Sequence, residues 1–174
     1  MGDQNTLPVQ QSGNLPNAEY RRFESMREYE ALIDELIPQT QRFIRVFDRV
    51  LAPAWNTPAR FETLRQFLLA NRENRLLIVV HEAKPIEKEH PRMVELLRQF
   101  GTAVRIHETL SPAKHVYDPF VVFDANHYLH RFHYRYLRAA QGANDLIGAR
   151  ELLDRFGEIW DASMHSVSAG ASGL

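Results

Sequence analysis

Cysteine is absent from this 174-residue chain, which removes disulfides, thiolate metal sites and cysteine nucleophiles together. A dominant charge is missing too. The 21 basic residues stand against 22 acidic ones, a formal net charge of −1, so no global field draws in nucleic acid or acidic lipid and any electrostatic footprint must be local. No apolar run approaches the ~18 residues of a membrane-spanning helix. Residues 1–17 have neither the basic nor the apolar region of a signal peptide. A cytoplasmic protein without membrane association is expected.

What is present is ordinary globular material, 44% hydrophobic and 25% charged, in a length suited to one domain with a sizeable core. Residues 1–20 are rich in Gln, Asn, Gly and Pro and predict a disordered N-terminal tail. Residues 165–174, dominated by Ser, Ala and Gly, predict a flexible C-terminal one. The domain is expected to span 21–164, without internal repeats.

Within those limits helices and strands alternate. Ser25 and Glu28 have capping-box spacing, and Tyr29, Leu32, Ile33, Leu36 and Ile37 follow at helical intervals before Pro38. A strand is expected at 42–47. Thr57 and Pro58 supply an N-cap and an N1 proline for a helix carrying Phe61, Leu64, Phe67 and Leu68. Residues 75–80 (Arg-Leu-Leu-Ile-Val-Val) read as a central strand covered on both faces. Pro91 opens a third helix, which Gly101 is expected to end in a left-handed cap. A strand at 103–106 comes next, and a last helix spans 145–163. The charged, proline-broken stretch 82–89 reads as a solvated loop. Leu76, Ile78, Phe120, Val122, Phe156 and Trp160 are expected to share one core, with Trp55 closing it beside Trp160.

The densest signal is Tyr117-Asp118-Pro119-Phe120-Val121-Val122-Phe123-Asp124, followed by His127-Tyr128-Leu129-His130-Arg131-Phe132-His133. It predicts two strands joined by the turn pair Ala125-Asn126. Helices between the earlier strands argue for parallel pairing there, and the tight turn adds an antiparallel pair. The fold class is therefore α/β, a mixed sheet flanked by helices.

This order resembles a phospholipase D-like half-domain over about residues 42–163. Such a half-domain runs strand-helix-strand-helix-strand, then a strand with His-x-Lys-x-x-x-x-Asp and another ending near Gly-Ser. Its closing helix ends Phe-x-x-Leu/Ile-Trp, matched here by Phe156-Gly157-Glu158-Ile159-Trp160. With Asp124 at the motif aspartate, Tyr117 falls at the histidine and Pro119 at the lysine. In that family one histidine attacks phosphorus, a second protonates the leaving group, and lysines hold the phosphoryl oxygens. Tyrosine and proline replace neither. His130 and Arg131 stand where the family places small residues. More closely, the chain resembles a bacterial family of degenerate phospholipase D-like domains that lack the His-x-Lys motif and carry Asp-Pro-Phe-x-x-x-Asp, here residues 118–124. Pairing across the catalytic face is usual for such half-domains, so the resemblance implies a homodimer. No Gly-rich pyrophosphate loop is present, and no cofactor is expected.

From 125 to 144 there is no acidic residue, while Arg131, Arg135 and Arg138 interleave with Tyr128, Phe132, Tyr134 and Tyr136. Guanidinium groups recognise phosphate and aromatic rings stack on bases. Arg131, His130, His133, Arg135, Lys114 and His115 are accordingly the candidate binding residues for a phosphate-containing ligand or nucleic acid. A metal site is not expected, since His127 and His133 would lie roughly 20 Å apart on a strand rising ~3.3 Å per residue. Asp48 and His81 end their strands where open α/β sheets bind ligands. With Asp124 they are the candidates for a catalytic constellation, provided that all three converge at that edge.

The residues thus favour a non-catalytic phospholipase D-like module that self-associates and binds a partner or an anionic, phosphate-containing ligand. The alternative is a hydrolase or transferase acting on a phosphate-containing substrate with a non-standard site.

Overall fold

The computed structural model describes residues 6–8 and 13–168. Among the described residues nine strands form one mixed sheet. They are β1 (Thr6–Pro8), β2 (Glu19–Phe23), β3 (Phe43–Asp48), β4 (Arg75–Val80), β5 (Val104–Thr109), β6 (Phe120–Phe123), β7 (His127–Arg131), β8 (Ala139–Ala143) and β9 (Ser163–His165). Five helices accompany them: α1 (Met26–Leu36), α2 (Pro58–Ala70), α3 (Lys84–Glu89), α4 (Pro91–Gln99) and α5 (Leu146–Asp161).

Across the sheet the order is β1-β2-β8-β7-β6-β3-β4-β5-β9. The strands β3, β4 and β5 run parallel, as their helical connections require. On the other side of β3, β6, β7, β8, β2 and β1 continue as an antiparallel series. β9 closes the far edge antiparallel to β5. The mixed α/β sheet flanked by helices is what the alternating pattern foretold. Strands also lie beyond the expected domain limits of 21 and 164: β1 and the first two residues of β2 precede the first, β9 straddles the second, and Val167 is buried. Between β1 and β2, Ala18 is also buried and the Asn14 side chain accepts from the Ile147 amide at 3.1 Å; residues 1–5, 9–12 and 169–174 of the two expected tails fall outside the described residues.

Because successive strand side chains face opposite ways, the sheet divides two cores. Ile44, Val46, Leu76, Ile78, Val121, Phe123 and Leu129 face α1, α2, α3 and α4. Phe47, Val79, Phe120, Val122 and Tyr128 face α5 through Ala149, Leu152, Phe156 and Ile159. The single core expected from the sequence is corrected here: Leu76 and Ile78 lie on one side of the sheet, Phe120, Val122 and Phe156 on the other. Trp55 is likewise buried on the first side, under the Arg60 guanidinium at 4.9 Å. Trp160 belongs to the second, half-buried and stacked on His107 at 3.7 Å.

Local chemistry accounts for most element ends. The Ser25 hydroxyl accepts from the Glu28 amide at 3.1 Å, but the Glu28 carboxylate turns to Arg21 instead of completing the capping box. Thr57 caps α2 by accepting from the Arg60 amide. Asp145 caps α5 through the Gly148 amide at 3.0 Å. Gly101 is not left-handed, contrary to expectation; Phe100 ends α4 at φ −128°. The stretch expected as a solvated loop forms α3, because Ile86 is fully buried on the first core.

Candidate ligand-binding surface

Three residues were candidates for catalysis, and the strand register separates them. β6 runs antiparallel to β3 with Phe123 opposite Ile44, which puts Asp124 beside the start of β3 while Asp48 ends it. The turn has three residues, not two, and Asp124 opens it in the left-handed region at φ 51°. Its carboxylate accepts from the amides of Gln41, Arg42 and Phe43 at 2.9, 2.7 and 3.0 Å. Asp124 is thus a clamp on the start of β3, at the opposite end of the sheet from His81 and Asp48.

His81 and Asp48 share an end of the sheet but not a face. Buried on the α5 side, His81 packs edge-on against Phe47 with ring centroids 5.3 Å apart. Its Nε2 lies 2.6 Å from the Val116 carbonyl and its Nδ1 2.7 Å from the Thr109 hydroxyl. A carbonyl only accepts, so Nε2 carries the proton and Nδ1 accepts from Thr109. Burial pushes the imidazole pKa down, keeping this tautomer neutral. Both ring nitrogens are therefore spent on joining the ends of β4 and β5 to the segment before β6. Asp48 lies on the α1 side. Burial raises its carboxyl to about 7, opposed by the Arg49 amide at 2.7 Å and by Arg131.

The candidate binding residues are also divided. His130 projects to the α5 side, where its Nε2 meets the Asp118 carboxylate at 2.8 Å; the other carboxylate oxygen is held by Arg155 of α5. Arg131, one residue on, projects to the α1 side with its guanidinium 6.0 Å from the Tyr29 ring. There its Nη2 donates to the carbonyls of Tyr134 and Tyr136 at 2.7 and 3.3 Å. It shapes the loop that follows it. Lys114 donates to the His81 carbonyl. His115 lines an acidic cavity of about 560 Å³ with Glu151, Asp154 and Glu158. No single patch contains all six.

A different grouping is brought together instead. β7 ends at Arg131, and residues 132–138 bend over the end of the sheet, where the Tyr134 amide donates to the Tyr117 carbonyl at 2.9 Å. This sets Tyr117, His133, Tyr134 and Tyr136 side by side. Ring centroids are 5.9 Å apart for Tyr117 and His133, 6.3 Å for Tyr117 and Tyr134, 4.7 Å for the stacked His133 and Tyr134, and 5.2 Å for His133 and Tyr136. The guanidinium groups of Arg49 and Arg135 lie 5.0 and 5.5 Å from the Tyr134 ring. Tyr117 is 54% exposed and Tyr136 63%. His133 and Arg135 were legible in the sequence. Arg49, from the loop after β3, was not: nothing in its local sequence reveals that it meets a loop more than eighty residues away.

Among the described residues no three His, Cys, Asp or Glu side chains stand close enough to hold a metal ion. No helix among them is long and apolar enough to cross a membrane.

The fold is similar to that of the phospholipase D family. The family member Nuc from Salmonella typhimurium superposes with a TM-score of 0.59 at 12% identity, over 87% of this chain and 99% of that one. NucT from Helicobacter pylori gives 0.55 at 10%, over 86% and 99%. TrmBL2, an archaeal chromatin protein with a novel mode of DNA binding, gives 0.62 at 8% and 84% of this chain; the present chain spans 54% of it. The chain itself belongs to the DUF7931 family, a domain of unknown function, whose model matches residues 25–169. No curated protein matches it.

Proposed function

We propose that this protein is a cytoplasmic, non-catalytic phospholipase D-like module that binds an anionic, phosphate-containing ligand and self-associates. The observation that carries this reading is the cluster of exposed Tyr117 and Tyr136 with half-buried His133 and Tyr134, and with Arg49 and Arg135 beside it. Cations against aromatic rings, at the end of a sheet, suit an anion with a flat or apolar portion. Two further observations speak against catalysis. His81 has no nitrogen left for a substrate, and Tyr117 and Pro119 occupy the places that the phospholipase D-like pattern gives to histidine and lysine.

Self-association is supported by length. Part of phosphatidylserine synthase from Haemophilus influenzae is similar in fold (TM-score 0.56, 13% identity, over 87% of this chain), and this chain spans 41% of that one, which leaves length for a second such unit. Light scattering after gel filtration is expected to give twice the chain mass; a monomer at all concentrations removes this half of the reading. For the ligand, binding of inorganic polyphosphate is expected to weaken with added salt and with Arg135→Ala or Arg49→Ala. Affinity indifferent to salt and to both substitutions rules the surface out.

One observation favours the alternative, a hydrolase or transferase with a non-standard site. His130 is oriented by Asp118, which is itself anchored by Arg155, the arrangement by which a carboxylate positions a general base. Turnover of a phosphodiester substrate by the wild type, abolished by His130→Ala, would establish it in place of the binding reading.

A further inference from the structure

The aromatic cluster identifies more than a phosphate site. Four rings lie contiguous at the end of one sheet, with centroid separations of 4.7 to 6.3 Å. Tyr136 and Tyr117 are the most exposed tyrosines of the chain at 63% and 54%. Neither ring is needed by a core: Tyr128, from the same hairpin, is the tyrosine that fills one. A phosphate group alone makes no use of rings. Flat partners that stack do.

Resting on the anion-binding reading of the same surface, we infer that the ligand is single-stranded nucleic acid. Its unpaired bases stack on Tyr117 and Tyr136 while its phosphates meet Arg135 and Arg49. The charge distribution fits a strand that crosses one edge of the domain. Residues 125–144 carry no acidic side chain, and Arg135 donates only to the Tyr134 hydroxyl among its described side-chain contacts. Arg49 meets Glu82 at 3.2 Å in an exposed pair, a contact weak enough to exchange for a phosphate. The rest of the surface argues against a duplex. With a net charge of −1 the chain has no overall cationic excess to hold two backbones, and in a duplex the faces of the bases are already stacked on each other. Unpaired bases offer every ring a free π-face, so sequence preference is weak.

Stacking of this kind contributes ~1–3 kcal/mol per base. Tyr136→Ala and Tyr117→Ala are each expected to weaken binding about ten-fold and the double substitution about a hundred-fold, whereas Tyr136→Phe keeps most of the affinity. With two phosphates neutralised, the slope of log affinity against log salt is about −1.4. The experiment measures fluorescence anisotropy of a short labelled oligothymidylate with the full chain. A duplex of equal length and an inorganic polyphosphate of equal charge serve as competitors, and thermal melting confirms that each variant is folded. Tight oligothymidylate binding, poor competition and the tyrosine losses support the inference. Equal competition by polyphosphate with no effect of the tyrosine substitutions overturns stacking and leaves the phosphate reading standing. No binding of either polymer removes both.

Discussion

The ring of Tyr128 fills the space into which a side chain at residue 142 would project. A Cβ on Gly142 would stand 2.2 Å from the Tyr128 Cε1 atom, and one on Gly148 2.4 Å from its hydroxyl. That hydroxyl donates to Asp145 at 2.8 Å, at the start of α5. Tyr128 therefore ties β7, β8 and α5 together through contacts that leave no room for a methyl group.

Gly142→Ala is accordingly expected to destabilise the domain by about 2–3 kcal/mol, the scale of an overpacked core. Gly157, on the exposed side of α5 with nothing near its hypothetical Cβ, is the control. Gly157→Ala should stabilise by ~0.5–1 kcal/mol through helix propensity alone. Urea unfolding of both variants checks the pair, and equal effects would contradict the packing described.

Phe156 and Trp160 lie one helical turn apart, but on unequal footing. Phe156 is 3% exposed and reaches Phe120, so Phe156→Ala should cost ~3–5 kcal/mol. Trp160 is only half-buried against His107 and Phe156. Its truncation is expected to cost about half as much, the stacked pair contributing ~0.5–1.5 kcal/mol beyond burial. Thermal melts that rank Trp160→Ala as the more damaging would refute this division.

Asp124 is expected to act on stability alone. Removing its carboxylate turns the amides of Gln41, Arg42 and Phe43, at and just before the start of β3, over to solvent, and Asp124→Ala should lose about 1–2 kcal/mol. Asp124→Asn, which tolerates the left-handed backbone and keeps one oxygen, should lose less. Oligonucleotide affinity should be unchanged in both, since the turn lies at the far end of the sheet from the tyrosines.

Asp48 should give stability a pH dependence of unusual sign for a carboxylate. Burial raises its folded pKa to about 7, above the unfolded value of ~3.9. The folded state therefore binds this proton more tightly than the unfolded chain does. The contribution of Asp48 is fully present below about pH 4 and is lost as pH rises towards 7. Asp48→Asn, which retains an acceptor for the Arg49 amide, should abolish that loss. The difference in melting temperature between variant and wild type should grow in favour of the variant from pH 4 to 7. A constant difference would contradict the assignment.

The elements that the sequence showed plainly are those whose burial repeats at a regular interval. The run Leu76 to Val80 and the stripe Leu152, Phe156 and Ile159 could be read directly, because each side chain's fate follows from its spacing. β8 could not. Its sequence Ala-Ala-Gln-Gly-Ala has no β-branched residue, and at Gly142 a side chain is excluded because the Tyr128 ring occupies the space above it. α3 was hidden in the same way, its charged sequence masking one fully buried isoleucine. At the candidate site, composition pointed to Arg135 and His133, and strand alternation put His130 and Arg131 on opposite faces, as they are, but composition could not show what each meets there. Nor could it show that the strand ends before His133, because the bend depends on Arg131 holding two carbonyls of the following loop.

The pairing of β2 with β8 bears on how the chain reaches this state. Arg21 bonds to Gln141, a partner 120 residues further along, while β6, β7 and β8 are joined by short local turns. During synthesis Phe23 and the rest of β2 leave the ribosome together with β1 but long before β8 exists to receive them. Closing so long a loop is entropically slow. The antiparallel half can assemble around its own hairpins, but it is completed only when β2 meets β8. Until then β8 presents an open edge, and the nascent chain is at its most exposed to pairing with a neighbour.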